Sequence, residues 1–475
     1  MCKPPDRNQT GLHNKTILIF FISMVLLPAC LGATTYYVSK DGSDSNLGTI
    51  DNPWMTFCKA TATLLPGDTV YIKKGVYNEV VVPKTSGTPG NFITYSAYEN
   101  DEVILDGQNK LPMNTEHWEA MFFINNKSYI SIKGLRAINS NGAGFMAEDC
   151  SDIVFRENSS FKTFSSGIGI WGCKNVILEG NSVQRACQGK SGPVQECLSV
   201  SNTVNFEIKN NKVFDRPIGT LGSGGEGMCI KEACRNGRVF NNTIYDLILL
   251  GLYIDGWESR MENLEVYGNT VYNARDGIVI AAETKKGSLK NIKVYNNIVY
   301  DNRFHGISIS DNNSEAPCGG DGPKEDIFIA YNTVFHNGFN KEPWGGGISI
   351  VSKNNYNQKF VITNNICSQN AYWQILISEV SKGITTISNN LIDGTNEYKD
   401  ESDQAVDGEN AVIGGSHFQN PEGHDFRLTR KSSAIDAGTP ELAPNVDFFG
   451  KPRPVDGNAD GKSLPDLGAL EADDN

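Results

Sequence analysis

The sequence lacks the motifs that mark several common classes of intracellular protein. It contains no glycine-rich phosphate loop and no recognisable Ser/His/Asp arrangement. Its 11 cysteines form no close Cys-x-x-Cys pairs, which argues against a zinc site. Acidic residues outnumber basic ones by 55 to 42, and the net charge of −13 disfavours a nucleic-acid partner. We therefore expect neither an organic cofactor nor a nucleic-acid ligand.

Long apolar segments are also scarce. The sequence contains only one, and it lies at the N-terminus. It reads KTILIFFISMVLLPACLGA, follows basic residues and ends in small ones, as a secretory signal peptide does. Cleavage after Ala33 would remove residues 1–33 as the signal peptide and leave no membrane span in the mature chain. Lipid attachment at Cys30 and an uncleaved anchor are the second and third alternatives. The sequence thus predicts a secreted or cell-surface protein.

A short repeated phrase, illustrated by NNTIY, GNTVY and NNIVY, is abundant. It recurs at intervals of 23–35 residues, a spacing typical of solenoids. The segments between are short β-branched alternations bounded by glycine and asparagine, which favours strands over helices. We predict a parallel β-helix in which the repeated asparagine holds a left-handed or bridge turn and hydrogen-bonds to its equivalent in the next coil. The repeated asparagines are Asn158, Asn181, Asn211, Asn242, Asn269, Asn297, Asn332, Asn365 and Asn390.

The two ends of the chain differ from this repeat. Residues 34–110 contain a helical segment, MTFCKATATL, followed by a strand–turn–strand pattern, and are interpreted as a cap with the first coils. Residues 111–400 form the predicted β-helix, and the Pro- and Gly-rich residues 401–475 form a closing tail.

Two pairs of cysteines have predicted positions in the coils. Cys150 and Cys173 occupy equivalent positions in successive repeats and should therefore be stacked neighbours. Cys187 and Cys197 bracket a loop that a disulfide would close.

The segments GTIDNPWMTFCKA, PGDTVYIKKGVYNE and ITYSAYENDEVILDG, followed by asparagine-marked coils, resemble the exported β-helix proteins of the pectin-lyase-like superfamily. Within it, the chain looks most like polysaccharide lyases of the chondroitinase-B/alginate-lyase and pectate-lyase type. The resemblance implies an all-β, right-handed parallel β-helix that acts as a monomer on an extracellular polysaccharide. Because this fold also serves hydrolases, epimerases and adhesins, the activity has to be inferred from the site.

Polar side chains concentrate on one outer face of the predicted coils. Because side chains alternate along a strand, Met228 and Ile230 should face the core and leave Lys231 outside. The next repeat places Tyr253 and Asp255 outside in the same way. The candidate residues of this face and its borders are Glu196, Glu226, Lys231, Glu232, Arg235, Tyr253, Asp255, Trp257, Glu283 and His305.

The leading hypothesis for this face is β-elimination on a uronic-acid polysaccharide. The arrangement Glu226-Gly-Met-Cys-Ile-Lys231 resembles alginate lyases of the superfamily, in which a glutamate precedes the catalytic lysine on the strand. This resemblance implies Lys231 as the base and Glu226 as a ligand of a Ca²⁺ that stabilises the substrate carboxylate. Glu196, which the coil alignment stacks on Glu226, is a second candidate ligand. Those lyases carry an arginine on the next coil, where this chain has Tyr253 and Asp255.

Two alternatives use the same face. Asp255 with Glu232 or Glu283 would supply the acid and base of an inverting glycoside hydrolase. In a non-catalytic carbohydrate-binding protein, Lys231 and Asp255 would be a cross-strand ion pair among solvated acids. In either enzyme the candidate substrate-binding residues are Arg235, Trp257, Glu283 and His305.

A second, structural Ca²⁺ site is predicted in the tail. The segment DGNADG begins like a calcium-binding loop, with Asp456, Asn458 and Asp460 at alternating positions. The twelfth position of the loop is Leu467 instead of a glutamate, so a polar turn is the alternative.

Overall fold

The computed structural model describes residues 32–113, 119–189, 193–216, 223–311, 321–340 and 344–472. The predicted signal peptide lies outside these ranges except for Gly32 and Ala33, and so does the alternative lipidation site Cys30. From Ala33 onward the chain forms one compact unit. No helix within the described ranges is both long enough and apolar enough to span a membrane.

Three long sheets build the protein, and successive coils add one strand to each of them. Neighbouring strands in these sheets are parallel, apart from the last strand of the third sheet, which is antiparallel. The strands are short because glycine and asparagine turns interrupt each β-branched run. The chain is therefore a parallel β-helix, and the predicted fold class is confirmed.

The strands are numbered along the chain. Sheet 1 contains β1 Thr35–Val38, β2 Thr69–Ile72, β4 Ile93–Ala97, β7 Ser128–Lys133, β10 Ser151–Arg156, β13 Lys174–Glu179, β17 Val204–Lys209, β21 Arg235–Phe240, β24 Arg260–Tyr267, β27 Ser288–Tyr295, β30 Lys324–Ala330, β33 Gln358–Thr363 and β36 Thr385–Ser388. Sheet 2 contains β3 Gly75–Tyr77, β5 Val103–Asp106, β8 Leu135–Ile138, β11 Ser159–Phe161, β14 Ser182–Gln184, β18 Lys212–Arg216, β22 Thr243–Leu247, β25 Thr270–Tyr272, β28 Ile298–Tyr300, β31 Thr333–Phe335, β34 Ile366–Ser368, β37 Leu391–Asp393 and β39 Val412–Ile413. Sheet 3 contains β6 Ala120–Asn125, β9 Ala143–Glu148, β12 Ile168–Trp171, β16 Leu198–Ser201, β20 Met228–Lys231, β23 Leu252–Asp255, β26 Ile278–Ala281, β29 His305–Ile309, β32 Gly346–Ile350, β35 Ile375–Ser378 and β38 Asp403–Ala405.

The remaining elements are short. The helix α1 spans Phe57–Thr63 within the predicted helical segment, and the Thr56 side chain caps it by accepting a hydrogen bond from the Lys59 amide. Two strand pairs lie outside the long sheets, β15 Pro193–Gln195 with β19 Ser223–Gly224 and β40 Phe418–Asn420 with β41 Asp425–Leu428. Two 3-10 turns span Glu379–Ile384 and Pro421–Gly423.

The interior of the coils is apolar. Inward side chains such as Met228, Ile230, Leu252 and Ile254 are fully buried in one continuous core. Burying a side chain of this size contributes roughly 1.5–3 kcal/mol relative to leaving it exposed. The inward half of the predicted alternation in β20 and β23 is therefore confirmed.

The predicted asparagine ladder runs along the inside of a corner between sheets 1 and 2. From Asn158 to Asn390, each side-chain amide donates to the amide oxygen of the next coil at 2.9–3.1 Å. The left-handed turn is held by the residue before each of these asparagines, for example Asn241 with φ 55° and Gly268 with φ 64°, so that detail of the prediction is wrong. A second, unpredicted ladder joins Asn302, Asn337 and Asn370.

The tail packs along the outside of sheet 2. Its Phe418, Phe426 and Leu428 form a separate apolar cluster with Ile298 and Tyr300 of β28. The Asn296 side chain also donates to the Val446 carbonyl oxygen at 2.7 Å. Where the tail covers sheet 2, the outer surface of that sheet is buried and is not open to a ligand.

The eight cysteines within the described residues are free thiols. Cys150 and Cys173 lie on neighbouring coils, since Ser151 pairs with Lys174, so the predicted stacking is confirmed. Cys187 and Cys197 are both buried free thiols, and the disulfide suggested for them is not formed in the structure.

Candidate functional site

The candidate residues are held by four neighbouring strands of sheet 3: β16, β20, β23 and β26. In register, Ser201 pairs with Lys231, Lys231 with Asp255, and Asp255 with Ala281. Each step along this row is one strand spacing, ~4.8 Å. The predicted alignment of the coils is confirmed, and it places Lys231 and Asp255 side by side on the outer face.

This outer face is more buried than the sequence predicts. Tyr253 and Asp255 are predicted to lie outside, yet their exposed fractions are only 7% and 3%, and Cys229 on the same face is 1% exposed. Cys229 and Tyr253 belong to an apolar cluster separate from the core, with Val279 and the partly buried Leu250. The side chains do point outward, but apolar neighbours from adjacent coils exclude water from them. That burial changes the electrostatics of every ionisable group nearby.

Lys231 forms an ion pair with Glu196, not with Asp255. Its Nζ lies 2.7 Å from Glu196 Oε1, and the two side chains are only 20% and 11% exposed. Burial alone lowers the pKa of Lys231, but the charge of Glu196, assisted by Asp255, raises it well above the ordinary value. Lys231 is therefore an ammonium in the free protein, and the predicted Lys231–Asp255 ion pair is wrong because Glu196 is closer.

The second carboxylate oxygen of Glu196 also accepts a hydrogen bond. The Ser199 hydroxyl donates to Glu196 Oε2 at 2.6 Å, and the Trp171 indole Nε1 donates to Ser199 Oγ at 3.1 Å. Ser199 is fully buried. Sequence reasoning missed both residues, although the register that aligns Ser199 with Cys229 could have placed the serine on this face.

Asp255 is a buried carboxyl group that keeps its proton near neutral pH. Burial, together with the charge of Glu283, raises its pKa to about 8, although the Glu283 amide donates to the carboxyl group. Its Oδ1 has no hydrogen-bond partner among the described residues. A buried polar atom without a partner costs free energy and is unusual unless a ligand completes it.

Tyr253 and Glu283 form the outer border of the cluster. The Tyr253 hydroxyl donates a short hydrogen bond to Glu283 Oε1. Burial raises the pKa of Glu283, and burial with the charges of Asp255 and Glu283 raises that of Tyr253. Tyr253, Glu283 and Asp255 therefore interact electrostatically with one another in one buried group.

Glu226 interacts electrostatically with Glu196, Arg216 and Lys231. Burial and the charge of Glu196 raise the pKa of Glu226 to about 7, and Arg216 partly opposes this rise. The Arg216 guanidinium packs against Gly225, where an added Cβ would lie 2.1 Å from Nε. Sequence reasoning did not find Arg216, because it ends β18 in sheet 2 and reaches the site around a corner of the coil.

The remaining predicted residues are dispersed. Glu232 is half-buried directly after β20, and its charge contributes to the raised pKa of Asp255. Trp257 follows β23 and is half-buried, with its carbonyl oxygen accepting from Thr284 at 2.5 Å. Arg235 is exposed at the start of β21 in sheet 1, so the structure separates it from the cluster.

His305 is also separated from the cluster. It opens β29 as expected, but its ring is buried and Nδ1 is 2.9 Å from Ser349 Oγ. Its ring contacts Trp344 and Trp373, and burial lowers its pKa. The His305 ring thus belongs to an aromatic group with Trp344 and Trp373.

Glu196 and the tail residues proposed as Ca²⁺ ligands are engaged with other protein groups in the structure. Both carboxylate oxygens of Glu196 are already occupied, one by Lys231 and the other by Ser199. Within the described ranges no group of three or more Asp, Glu, His or Cys residues could hold a metal ion. In the tail, Asp456 and Asn458 accept hydrogen bonds from the amide of Asp460, as in a polar turn. Calcium binding at either place stays a prediction.

Comparison with known proteins gives matches along most of the chain. A family model described as Pel9A-like, right handed beta helix region, matches residues 36–245, and a right handed beta helix region model matches residues 194–320. The uncharacterised protein YwoF of Bacillus subtilis (strain 168) is 30% identical over 361 residues, covering 69% of this chain and 74% of YwoF. Pectate lyase PEL9 of Emericella nidulans is 29% identical over 180 residues, which span 35% of this chain and 42% of that enzyme.

Solved structures agree on the architecture. Pectate lyase Pel9A superimposes with a TM-score of 0.53 at 18% identity, covering 93% of this chain and 97% of its own. The complex of XylC with xylose gives a TM-score of 0.55 at 13% identity, covering 93% and 99%. The fold and its outer face thus define a right-handed parallel β-helix protein. The chain belongs to the pectin-lyase-like superfamily of these proteins.

Proposed function

We propose that the protein is an exported lyase that cleaves a uronic-acid polysaccharide by β-elimination at the Lys231 cluster. The observation that supports it best is the pairing of a lysine with a proton-bearing carboxyl group one strand spacing apart on an outer face. Perturbed ionisable groups that cluster in this way are typical of catalytic sites. The pectate lyases named among the relatives act on a polyuronate, which makes that substrate class the first to test.

In the proposed reaction Lys231 is the base and Asp255 the acid. The neutral Lys231 amine takes the C5 proton, the C–H electrons form the C4–C5 double bond, and the C4–O bond breaks. The departing oxygen takes the proton of Asp255, so charge and atoms balance. The reaction leaves Lys231 protonated and Asp255 ionised, and transfer of that proton from Lys231 to Asp255 restores the reactive form.

Lys231 must first lose the proton that its ion pair retains. A sugar chain that covers the cluster removes water from it, and desolvation favours neutral groups over charged ones. The proton of Lys231 then moves to a neighbouring carboxylate and leaves a neutral amine beside a protonated Asp255. No step runs through a metal ion.

This assignment predicts an alkaline optimum. In the free protein Lys231 binds its proton more tightly than Asp255, whose pKa is about 8. The productive form lacks one proton of the pair, so kcat/KM rises as pH increases through about 8. It falls again only when the second proton leaves, above the raised pKa of Lys231.

A second candidate, glycoside hydrolysis, is favoured by the same protonated Asp255. A carboxyl group that stays protonated at neutral pH is the general acid that a hydrolase needs, and Glu283 is the neighbouring carboxylate. This reaction gives no role to the Lys231–Glu196 ion pair, which is why we place it second. A non-catalytic carbohydrate-binding protein remains the third reading of the site.

The purified protein incubated with pectate, alginate and glycosaminoglycans distinguishes these functions. A lyase produces ultraviolet absorbance from the new conjugated double bond, whereas a hydrolase produces reducing ends without it. We expect absorbance to appear, and to fall 10²–10⁴-fold in Lys231→Ala. Lys290→Ala is the matched control, because Lys290 is ion-paired with Glu325 at 2.8 Å on sheet 1. A Lys231→Ala protein that keeps the full rate would refute Lys231 as the base, and an added chelator tests the Ca²⁺ prediction.

A further inference from the structure

A pair of arginines borders the outer face of sheet 3, on coils that follow the Lys231 cluster. Arg275 precedes β26 and Arg303 precedes β29, so the two lie on neighbouring coils. The Arg303 amide donates to Ala274 O at 3.0 Å, and the Phe304 amide donates to Arg275 O at 2.8 Å. These bonds hold the two backbone segments side by side. Neither arginine takes part in the proposed reaction.

The outer face that carries the candidate site continues to these arginines. One outward row of that face consists, in register, of Tyr253, Val279, Ser308 and Ser349. The His305 ring reaches this row, because its Nδ1 is 2.9 Å from Ser349 Oγ, and His305 interacts electrostatically with Arg275. Arg275 therefore lies at the border of the same face. Its coil is two strand spacings from that of Lys231, or about 10 Å along the axis of the β-helix.

The Arg275 guanidinium is held in place but keeps donors for a ligand. Its central carbon lies 5.4 Å from the centroid of the Phe304 ring, which supports it from one side. Its Nε is 3.5 Å from Asp276 Oδ2, longer than the roughly 2.7–2.9 Å of a strong charge-assisted hydrogen bond. The side chain is 52% exposed. A guanidinium has five N–H groups, so this one can still donate to a ligand from the surface of the protein.

The two arginines also create a local surplus of positive charge. Arg303 donates to the carbonyl oxygens of Leu247 at 3.1 Å and Ile248 at 2.5 Å, and these neutral acceptors do not cancel its charge. Burial, together with the charge of Arg275, lowers the pKa of Arg303, and Asp276 opposes that fall. Two guanidinium charges against the one carboxylate that interacts with both leave one positive charge over. In a chain with a net charge of −13, such a place attracts an anion.

We propose that Arg275, supported by Arg303 and Phe304, binds the carboxylate of a non-reacting uronate unit in the acidic polysaccharide that occupies the outer face. A guanidinium donates two parallel hydrogen bonds to a carboxylate, which gives both affinity and a fixed orientation. The surplus charge also supplies the local attraction that an acidic protein needs to hold a polyanion. The kinetic consequence rests on the proposed lyase function, whereas carboxylate binding requires no cleavage.

The test measures the binding of pectate, alginate and chondroitin sulfate by calorimetry. The parent protein carries Lys231→Ala, which removes the proposed base and prevents cleavage during the measurement. Adding Arg275→Gln should weaken the binding of at least one of these polymers by about tenfold, as expected for the loss of one charge-assisted pair. Arg275→Lys should recover part of the affinity, because lysine keeps the charge but not the planar pair of donors.

Two controls show whether a carboxylate is recognised at this place. Arg156→Gln is the matched variant, because Arg156 is 45% exposed and paired with Glu179 at 2.9 Å on sheet 1, and it should bind as the parent does. Methyl-esterified pectin has blocked carboxylates, so its binding should not distinguish Arg275→Gln from the parent. Thermal unfolding shows whether each variant is folded, and Arg275→Lys serves if Arg275→Gln is not.

The cleavage assay separates this proposal from the proposed function. With Lys231 present, Arg275→Gln should raise KM by about tenfold and lower kcat by less, because a unit away from the cleaved bond contributes binding. Unchanged binding of all three acidic polymers in Arg275→Gln overturns the proposal, and so does a parent that binds none of them. An equal loss with methyl-esterified pectin overturns it as well. If binding weakens as expected but the wild type cleaves no polymer, the carboxylate subsite stands and the lyase function is refuted.

Discussion

Two of the buried polar stacks along this β-helix, the long asparagine ladder and the cluster around Lys231, differ in how completely their groups are paired. In the asparagine ladder from Asn158 to Asn390, amide oxygens accept from the preceding coil and amide nitrogens donate to the next. In the cluster around Lys231, Asp255 Oδ1 has no partner among the described residues and several carboxyl groups hold raised pKa values. The first stack is neutral and saturated, and the second is charged and incomplete.

The difference separates structural from functional burial. A saturated neutral network stabilises one arrangement and has nothing left to offer a ligand. Buried charged groups cost stability, and they persist where their altered proton affinity is useful. Changes in the ladder should therefore affect unfolding, whereas changes in the cluster should affect chemistry and its pH dependence.

The largest effect is expected from Asn269→Asp in the ladder. The substitution preserves shape but replaces an amide that donates to Val239 O at 2.9 Å and to Asn297 Oδ1 at 3.0 Å. It leaves a buried carboxyl group facing two acceptors, which should cost roughly 3–5 kcal/mol. Thermal unfolding measures the loss, and the lyase rate well below the transition should stay close to that of the wild type.

Asn263→Asp is the matched control for that change. Asn263 belongs to an exposed row of asparagines and donates to Asn236 Oδ1 at 3.1 Å. In solvent the same substitution should cost less than about 0.5 kcal/mol. Equal losses in the two variants would show that burial does not distinguish the two rows.

The next effect is the pH dependence of stability caused by Asp255. Its pKa is raised from 3.8 to about 8 on folding, so between these values the folded form holds a proton that the unfolded form has released. Stability therefore falls as pH rises from about 4 to 8. We expect this decline to be smaller by roughly 3–5 kcal/mol in Asp255→Asn, which has no proton to lose, because about three units separate pH 5 from the raised pKa and each unit is worth about 1.4 kcal/mol.

Chemical denaturation at pH 5 and pH 9 measures this difference. Glu226 and Glu471, each with a pKa of about 7, contribute declines of the same sign in both proteins, so only the difference between the two proteins counts. Parallel stability curves for Asp255→Asn and wild type would show that Asp255 is already ionised at neutral pH. That result would refute Asp255 as the acid of the proposed reaction.

A smaller effect is expected at Glu283. Its charge contributes to the raised pKa of Asp255, and its carboxyl group accepts from Tyr253. Glu283→Gln removes the charge and keeps an acceptor, so the pKa of Asp255 should fall. The ascending limb of kcat/KM should move to lower pH by about 0.5–1 unit, a three- to tenfold change in proton affinity. Glu325→Gln on sheet 1 is the control, and a limb that moves to higher pH would contradict the assignment.

Much of the fold could be predicted from the sequence because it depends on local, repeated signals. The interval between asparagines identified the coils, and alternation within GMCIKE and GLYIDGW identified which side chains point inward. The register followed, since equivalent residues in successive coils must pair. The left-handed turn was predicted at Asn242, whereas Asn241 adopts it. Both residues are asparagines, so the residue type does not distinguish the two positions.

The electrostatics of the site could not be predicted in the same way. How far water reaches this face depends on an apolar cluster that Cys229 and Tyr253 form with Leu250 and with Val279 of the next coil. The partner of Lys231 depends on a diagonal reach to Glu196 that strand alternation does not describe. Arg216 belongs to sheet 2, and no sequence motif connects it with Lys231.

The smallest effect is expected at Arg235, which sequence analysis placed with the cluster. It is exposed at the start of β21, in register with Val204 and Glu262 of sheet 1, and therefore lies outside both polar stacks. Arg235→Ala should change the free energy of unfolding by less than about 0.5 kcal/mol and the lyase rate by less than about twofold. Lys231→Ala, measured in parallel, shows that the assay would detect a loss. A tenfold fall in kcat/KM for Arg235→Ala would mean that a substrate chain extends around the corner from sheet 3 onto sheet 1, and the border of the site would then have to include it.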